Sequence, residues 1–268
     1  MSIDCHIHLF DRNRSAIAKP RHVPTYDAEY ATVKALGAAV GVRRFVLVQT
    51  SFMGTDNSLL MRHLQDQPDT FRGVFILGPA TSSRELQDLK AQGVVGIRLN
   101  LLGVDLENTL TADQLGLIER CSEQGLSVGL HDDASRLVDI LDRIDGRAEK
   151  LVVDHFGRPE SLALAQDDPV YENLLEKMAA NGSYVKISAP YRSPNMNPAK
   201  AYEKLKTALG YDRLLWASDW PWTQSESALT YAQWAEPFHD TDAASAPAHR
   251  NLPQQLAINA ERFYGFSE

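Results

Sequence analysis

The sequence predicts an α/β fold: a single (β/α)8 TIM barrel over residues 1–268, finished by a C-terminal closing helix. Two observations predict it. Eight short runs rich in β-branched residues recur along the chain. They are near-continuous in apolar residues rather than alternating, as parallel strands buried on both faces should be. Between them lie amphipathic segments of helical length, and repeated strand-then-helix is the pattern of a closed barrel. A third feature counts against an open doubly wound sheet. That fold usually carries a glycine-rich phosphate loop after its first strand, and none is present.

In chain order the runs are IDCHIHL (3–9), RFVLVQT (44–50), FRGVFIL (71–77), VVGIRLN (94–100), LSVGLHD (126–132), KLVVDHFG (150–157), SYVKISA (183–189) and RLLWASDWP (213–221). Helical segments include DAEYATVKALGAAVG (27–41), SSRELQDLKAQG (82–93), TADQLGLIERCSEQG (111–125) and PVYENLLEKMAANG (169–182). Several end in glycine, the usual residue just past a helix C-terminus. Several follow Thr, Ser or Asp, which cap helix N-termini; after Thr111, Asp113 adds negative charge to the first turn. The longest irregular stretches are 9–26, 189–198 and 238–251. The first two follow strands and so belong at the barrel mouth. The tail LPQQLAINAERFYGF (252–266) reads as the closing helix.

The bulk numbers exclude several function classes. A net charge of −8 disfavours a nucleic-acid binder, which needs a basic face for phosphates, and gives no polybasic membrane patch. No run reaches the length of a membrane span. Cys5 and Cys121 are the two cysteines, too few for a disulfide framework, and MSIDCHIHLF lacks the apolar stretch of a signal peptide. A reducing, cytoplasmic setting is the expectation. Cys5 is expected to face the helix layer as a small apolar side chain.

In a barrel the C-terminal strand ends share one mouth, where catalytic residues gather. Four of the eight histidines fall at such ends: His6 and His8 on the first run, His131 on the fifth and His155 on the sixth. Residues two apart in a strand point the same way, so His6 and His8 converge, with Ile7 turned to the other side. Asp219, in the apolar segment WASDWPW, is a candidate general base. Arg98, Arg158 and Arg192 occupy related places, and planar guanidinium groups suit carboxylates. Three around one mouth point to an acidic substrate. Ser51, Asn100 and Tyr191 add hydroxyl and amide groups that could orient it. Asp132 and Asp133 read as caps of the following helix. His63 reads as solvent-facing, and His22 as a loop histidine that could reach the pocket, although such residues are more often exposed. Trp220 and Trp222 either wall the pocket or pack beneath it.

Together DCHIH, SFMGTDN, GIRLNL, VVDHFGRP, VKIS and WASDWP resemble the amidohydrolase superfamily, and within it the amidohydrolase-2 group that contains lactonases of the 2-pyrone-4,6-dicarboxylate type. The resemblance runs from about residue 3 to 223. It implies a hydrolase that opens a carboxylated lactone with water. His6, His8 and His155 would surround and polarise the scissile carbonyl, and Asp219 would take the proton from the water. Arg98 and Arg158 match arginines that hold substrate carboxylates; Arg192 matches less closely.

The chain departs from the superfamily in two places. GIRLN puts Arg98 where two-metal members carry a bridging lysine, which argues against a two-metal centre. His131 adds a potential ligand, so His6, His8, His131 and Asp219 could hold one divalent ion, with zinc the best suited. Metal-free attack of water, driven by Asp219, stands equally as the alternative. The same scaffold serves metal-dependent decarboxylases of aromatic or unsaturated acids, and a non-catalytic barrel binding acidic metabolites is the third reading. The partner is a small carboxylated molecule, and the assembly a monomer or small homo-oligomer.

Overall fold

The computed structural model describes residues 2–14, 17–163, 167–236 and 253–266. Eight parallel strands form one sheet in sequential order: β1 Ser2–Ile7, β2 Val42–Val48, β3 Phe71–Phe75, β4 Val94–Asn100, β5 Ser127–His131, β6 Leu151–Val153, β7 Tyr184–Ile187 and β8 Leu214–Trp216. The helices between them are α1 Tyr30–Ala39, α2 Ser58–Asp66, α3 Ser83–Ala91, α4 Leu106–Thr109, α5 Ala112–Glu123, α6 Ala134–Arg143, α7 Pro169–Ala180 and α8 Pro198–Leu209; α9 Tyr231–Ala235 and α10 Gln254–Tyr264 follow. The predicted α/β barrel is the observed one. The 238–251 stretch lies outside the described residues.

The segment after β8 makes the closing contact with β1. Asp219 N donates to His6 O (3.0 Å), and His8 N to Trp220 O (2.9 Å). The barrel seam therefore runs through the residues singled out from the sequence.

Local chemistry accounts for the helix starts. Ser82 and Glu85 form a reciprocal capping box at α3, Thr111 accepts Gln114 N at α5, and Asp168 caps α7 ahead of Pro169. Alternate strand residues divide between two cores. On β2, Phe45 and Leu47 pack with the helices, whereas Val46 and Val48 join Ile3, Val74, Val152, Leu215 and Ala217 inside the barrel. Ala260, Phe263 and Tyr264 of α10, with Phe266, belong to this inner cluster, so the tail is the closing helix. Each large apolar side chain buried this way stabilises the fold by about 1.5–3 kcal/mol.

Several expectations need correction. Cys5 lies in the inner cluster, not against the helices, although His6 beside it also faces inward. The pairing register of β1 shifts between Asp4 and Ile7, and this irregularity turns both side chains the same way. Strands β6 and β8 are shorter than their apolar runs, because the chain turns left-handed at His155 (φ 55°) and Asp219 (φ 60°). Asp133 stands at the N-cap of α6 without a side-chain cap bond; its carboxylate pairs with Arg158 at 2.8 Å instead. Asp132 is buried and accepts from Arg136 Nε at 2.8 Å. His63 is half-buried, its ring centroid 5.6 Å from that of Phe71. Trp220 and Trp222 pack into the helix-side core.

Candidate active site

The inner faces of the strands change character from bottom to top. Above the apolar layer, β4 supplies Arg98, β7 supplies Lys186, and the chain leaving β6 supplies Asp154; all three are buried. Asp154 accepts from Arg98 Nε at 3.3 Å and lies 3.0 Å from Lys186 Nζ. Burial opposes ionisation of Asp154, but the Lys186 ammonium and then His6 hold its carboxyl well below the usual range.

The imidazoles rest on this base. His6 Nδ1 is 3.1 Å from Lys186 Nζ and 3.4 Å from Asp154 Oδ1. His6 Nε2 is 3.2 Å from His8 Nε2, and His8 Nδ1 is 2.7 Å from the Val48 carbonyl oxygen. His155 Nδ1 is 2.8 Å from Ser188 Oγ, and its Nε2 has no partner. Burial first, then Lys186, pushes the His6 pKa well down; burial likewise lowers His155 to about 3. Both rings are neutral at neutral pH.

Asp219 is held asymmetrically. Its Oδ2 accepts from Tyr191 OH (2.6 Å) and from Arg192 Nε and Nη2 (2.8 Å each). Its Oδ1 has no hydrogen-bond partner and lies 3.5 Å from His6 Nε2, 3.5 Å from His8 Nε2 and 3.8 Å from His155 Nε2. Full burial would raise its pKa, but Arg192, followed by His155, depresses it well below the ordinary carboxylate value. Tyr191 is raised, by burial and then by Asp219, and stays a phenol donor. A left-handed backbone suits a short polar residue, and here it turns the carboxylate from the strand line toward the histidines.

Above the cluster opens a cavity of about 280 Å³. His8, Ser51, Arg98, Asn100, His131 and Arg192 line it, all candidates from the sequence. His131 Nδ1 contacts Asn100 Oδ1 (3.1 Å) and Arg98 Nη2 (3.5 Å). Burial first, then Arg98, lowers its pKa well below the ordinary histidine value. His6, His155 and Asp219 lie beneath, buried. Arg158 is not among the lining residues and is tied to Asp133. Arg21 and His22, from the loop after β1, do line the cavity, and Arg21 Nη2 donates to Asn100 Oδ1 at 3.1 Å.

Sequence reasoning missed Lys186, Asp154 and Arg21. For the first two a signal existed: a charged residue inside an otherwise apolar strand run, which costs several kcal/mol to bury unless paired. For Arg21 there was none, since a loop arginine is ordinarily exposed.

His6, His155 and Asp219 each offer one ligand atom within 4.8 Å of the others, N/O donors of the kind that hold a divalent ion. His6 Nε2 and His155 Nε2 lie 3.5 and 3.8 Å from Asp219 Oδ1. His8 and His131, both expected among the ligands, are outside this group of three, and His155 is in it instead. A ligand nitrogen must offer a bare lone pair, and protons are assigned from the partners. The Lys186 ammonium only donates, so His6 receives it on a bare Nδ1 and donates through Nε2. His8 accepts from His6 on its own Nε2 and donates through Nδ1 to the Val48 carbonyl, which only accepts. So bonded, His6 presents a proton rather than a lone pair to the cluster. The donor set matches a cation in kind but does not fit one in protonation.

This fold and site are those of a hydrolytic TIM barrel, and the family model "Amidohydrolase" (Amidohydro_2) matches residues 3–266. The chain belongs to that family. It is 27% identical over 234 residues to a 2-pyrone-4,6-dicarboxylate hydrolase of Comamonas testosteroni, covering 82% of this chain and 76% of that one. It is 23% identical over 228 residues to a 4-sulfomuconolactone hydrolase of Hydrogenophaga intermedia, covering 82% and 74%. Among solved structures, a probable 2-pyrone-4,6-dicarboxylic acid hydrolase of Acinetobacter baumannii with citric acid bound matches 99% of both chains, with a TM-score of 0.83 and 31% identity.

Proposed function

We propose that this protein hydrolyses a carboxylated lactone of the 2-pyrone-4,6-dicarboxylate type, with Asp219 as the general base. The observation that carries the reading is the Asp219 carboxylate. One oxygen is saturated by Tyr191 and Arg192, and the other is unpartnered among three imidazoles beneath a cationic cavity. Arg98 and Lys186 pair with Asp154, Arg192 pairs with Asp219, and Arg21 lines the cavity above them, so these four cations outnumber the two carboxylates by two. A dianion would neutralise that excess. Citric acid, bound in the solved Acinetobacter relative, is likewise a polycarboxylic acid.

In this mechanism the substrate carboxylates lie against the cavity arginines and the lactone carbonyl turns down toward the histidines. A water beside Asp219 Oδ1 gives that oxygen a proton as its own oxygen bonds to the carbonyl carbon. His155, whose Nδ1 meets Ser188, presents Nε2 where the carbonyl oxygen gains charge. The ring C–O bond then breaks, and the proton held by Asp219 passes to the departing oxygen. Tyr191 and Arg192 keep the carboxylate oriented throughout. The chain's own residues carry each step.

The test is the loss of ultraviolet absorbance when chelator-treated, metal-analysed protein meets 2-pyrone-4,6-dicarboxylate. Asp219→Asn should lower turnover by about 10²- to 10⁴-fold while leaving ligand binding largely intact. Unchanged turnover in that variant removes Asp219 as the base. Release of carbon dioxide without ring opening would mean a decarboxylase. Inactivity on this lactone with turnover of a sulfonated one would shift the substrate toward that of the Hydrogenophaga relative.

A further inference from the structure

Lys186 is the least expected member of the site, an ammonium buried to 1% exposure inside a barrel, 3.1 Å from a histidine of the H-x-H pair. We infer that Lys186 is a positioning residue that locks His6 in its Nε2-protonated form and thereby keeps a divalent cation out of the histidine cluster. The inference rests on the reading that the site works through its own residues.

The chain of contacts fixes the direction of every proton. It begins at a group that can only donate, the Lys186 ammonium, and ends at one that can only accept, the Val48 carbonyl. The two imidazoles between those ends have one arrangement that satisfies all three contacts: Lys186 Nζ to His6 Nδ1, His6 Nε2 to His8 Nε2, His8 Nδ1 to Val48 O. Each ring hands its single proton toward Val48.

Without the ammonium the constraint disappears. His6 Nδ1 also faces Asp154 Oδ1 at 3.4 Å, the oxygen that pairs with the Lys186 ammonium at 3.0 Å and would lose that partner with it. A neutral residue at position 186 would let His6 protonate Nδ1 and donate to Asp154, which keeps Arg98 as its counter-ion. Nε2 would then be bare, beside His155 Nε2 and Asp219 Oδ1. A histidine donating its outer N–H to a carboxylate while its inner nitrogen meets a metal is the usual support of a metal site. Lys186 blocks that arrangement both by its bond to Nδ1 and by adding positive charge beneath the cluster.

The experiment is zinc titration of metal-free wild type, Lys186→Met and Lys186→Arg, read by calorimetry and by competition with a chromophoric chelator. Lys186→Met should bind one equivalent about 10- to 100-fold more tightly than wild type, the range that outer partners of metal-bound histidines command. Lys186→Arg, which keeps a donor-only cation, should behave as wild type. Equal zinc affinity in wild type and Lys186→Met overturns the inference. Should Lys186→Met not fold, long-range ¹⁵N–¹H spectra of the wild-type histidines decide the matter. His6 protonated on Nε2 supports the lock, and His6 protonated on Nδ1 overturns it. Neither readout involves a lactone, so the substrate proposal can fail while this inference stands, and the reverse.

Discussion

Replacing Arg192 by Met tests how the general base is tuned. Arg192 gives Asp219 Oδ2 two charge-assisted hydrogen bonds at 2.8 Å, from a side chain 20% exposed to one fully buried. Hydrogen bonds to charged groups contribute about 1.5–3 kcal/mol. Losing both withdraws about 3–6 kcal/mol of preference for the ionised form, which raises the Asp219 pKa. Burial, which already pushes upward, is then opposed only by the remaining neighbours. A base must be ionised to accept a proton, so its activity is lost as pH falls through its pKa. Wild type, with Asp219 held far below the ordinary carboxylate value, should show no Asp219 limb in the working range. Arg192→Met should show its acid limb displaced upward, into the range where wild type has none. The assay is kcat for lactone opening against pH, with thermal unfolding run alongside to establish folding. KM should also rise, because Arg192 lines the cavity, so the decisive quantity is the limb in kcat. Superimposable limbs in the two proteins would refute the claim that Arg192 sets the ionisation of Asp219.

Three further substitutions separate cavity from scaffold. Arg98→Met should raise KM for a dicarboxylate lactone by at least about 10-fold, the loss of one charge-assisted contact. Arg158→Met should leave KM within about threefold, since that arginine is paired with Asp133 away from the cavity lining; equal effects of the two would return Arg158 to the substrate. Tyr191→Phe removes one donor from Asp219 and should lower kcat by about 3- to 10-fold, a loss near 1 kcal/mol, with KM little changed. Asp4 is buried, bridges the backbone N–H groups of His6 and Ser218, and accepts from Tyr231 OH at 2.7 Å. Burial raises its pKa from 3.8 to about 6, so its contribution to stability is greatest below pH 3.8 and is lost as pH rises to about 6. Subtracting the Asp4→Asn stability profile from that of wild type should expose this trend, worth about 3 kcal/mol; a difference independent of pH between 4 and 7 would contradict it.

Much of the site is legible in the sequence. Parallel strands in a closed barrel end at one mouth, so locating strand ends alone gathers His6, His8, Arg98, His131, His155 and Asp219. The rest depends on contacts between residues far apart in the chain. Arg158 follows a strand as Arg98 ends one, yet Asp133 captures it. Arg21 is an ordinary loop arginine until Asn100 and the cavity wall receive it. Cys5 faces inward in step with Ile3, and His6 beside it does so only because the register of β1 shifts between Asp4 and Ile7.

By itself the sequence determined the eightfold strand-and-helix order and the polar strand ends, because apolar periodicity and local capping act over a few residues. Only the tertiary structure decided which polar groups meet. Whether Arg192 binds a substrate or orients the base, and whether His6 shows a lone pair or a proton, are set across the seam between β1 and β8 and by the ammonium on β7. Coulombic interactions and hydrogen bonds in a buried site depend on separations of a few ångströms. The order of residues along the chain does not specify those separations until the barrel closes.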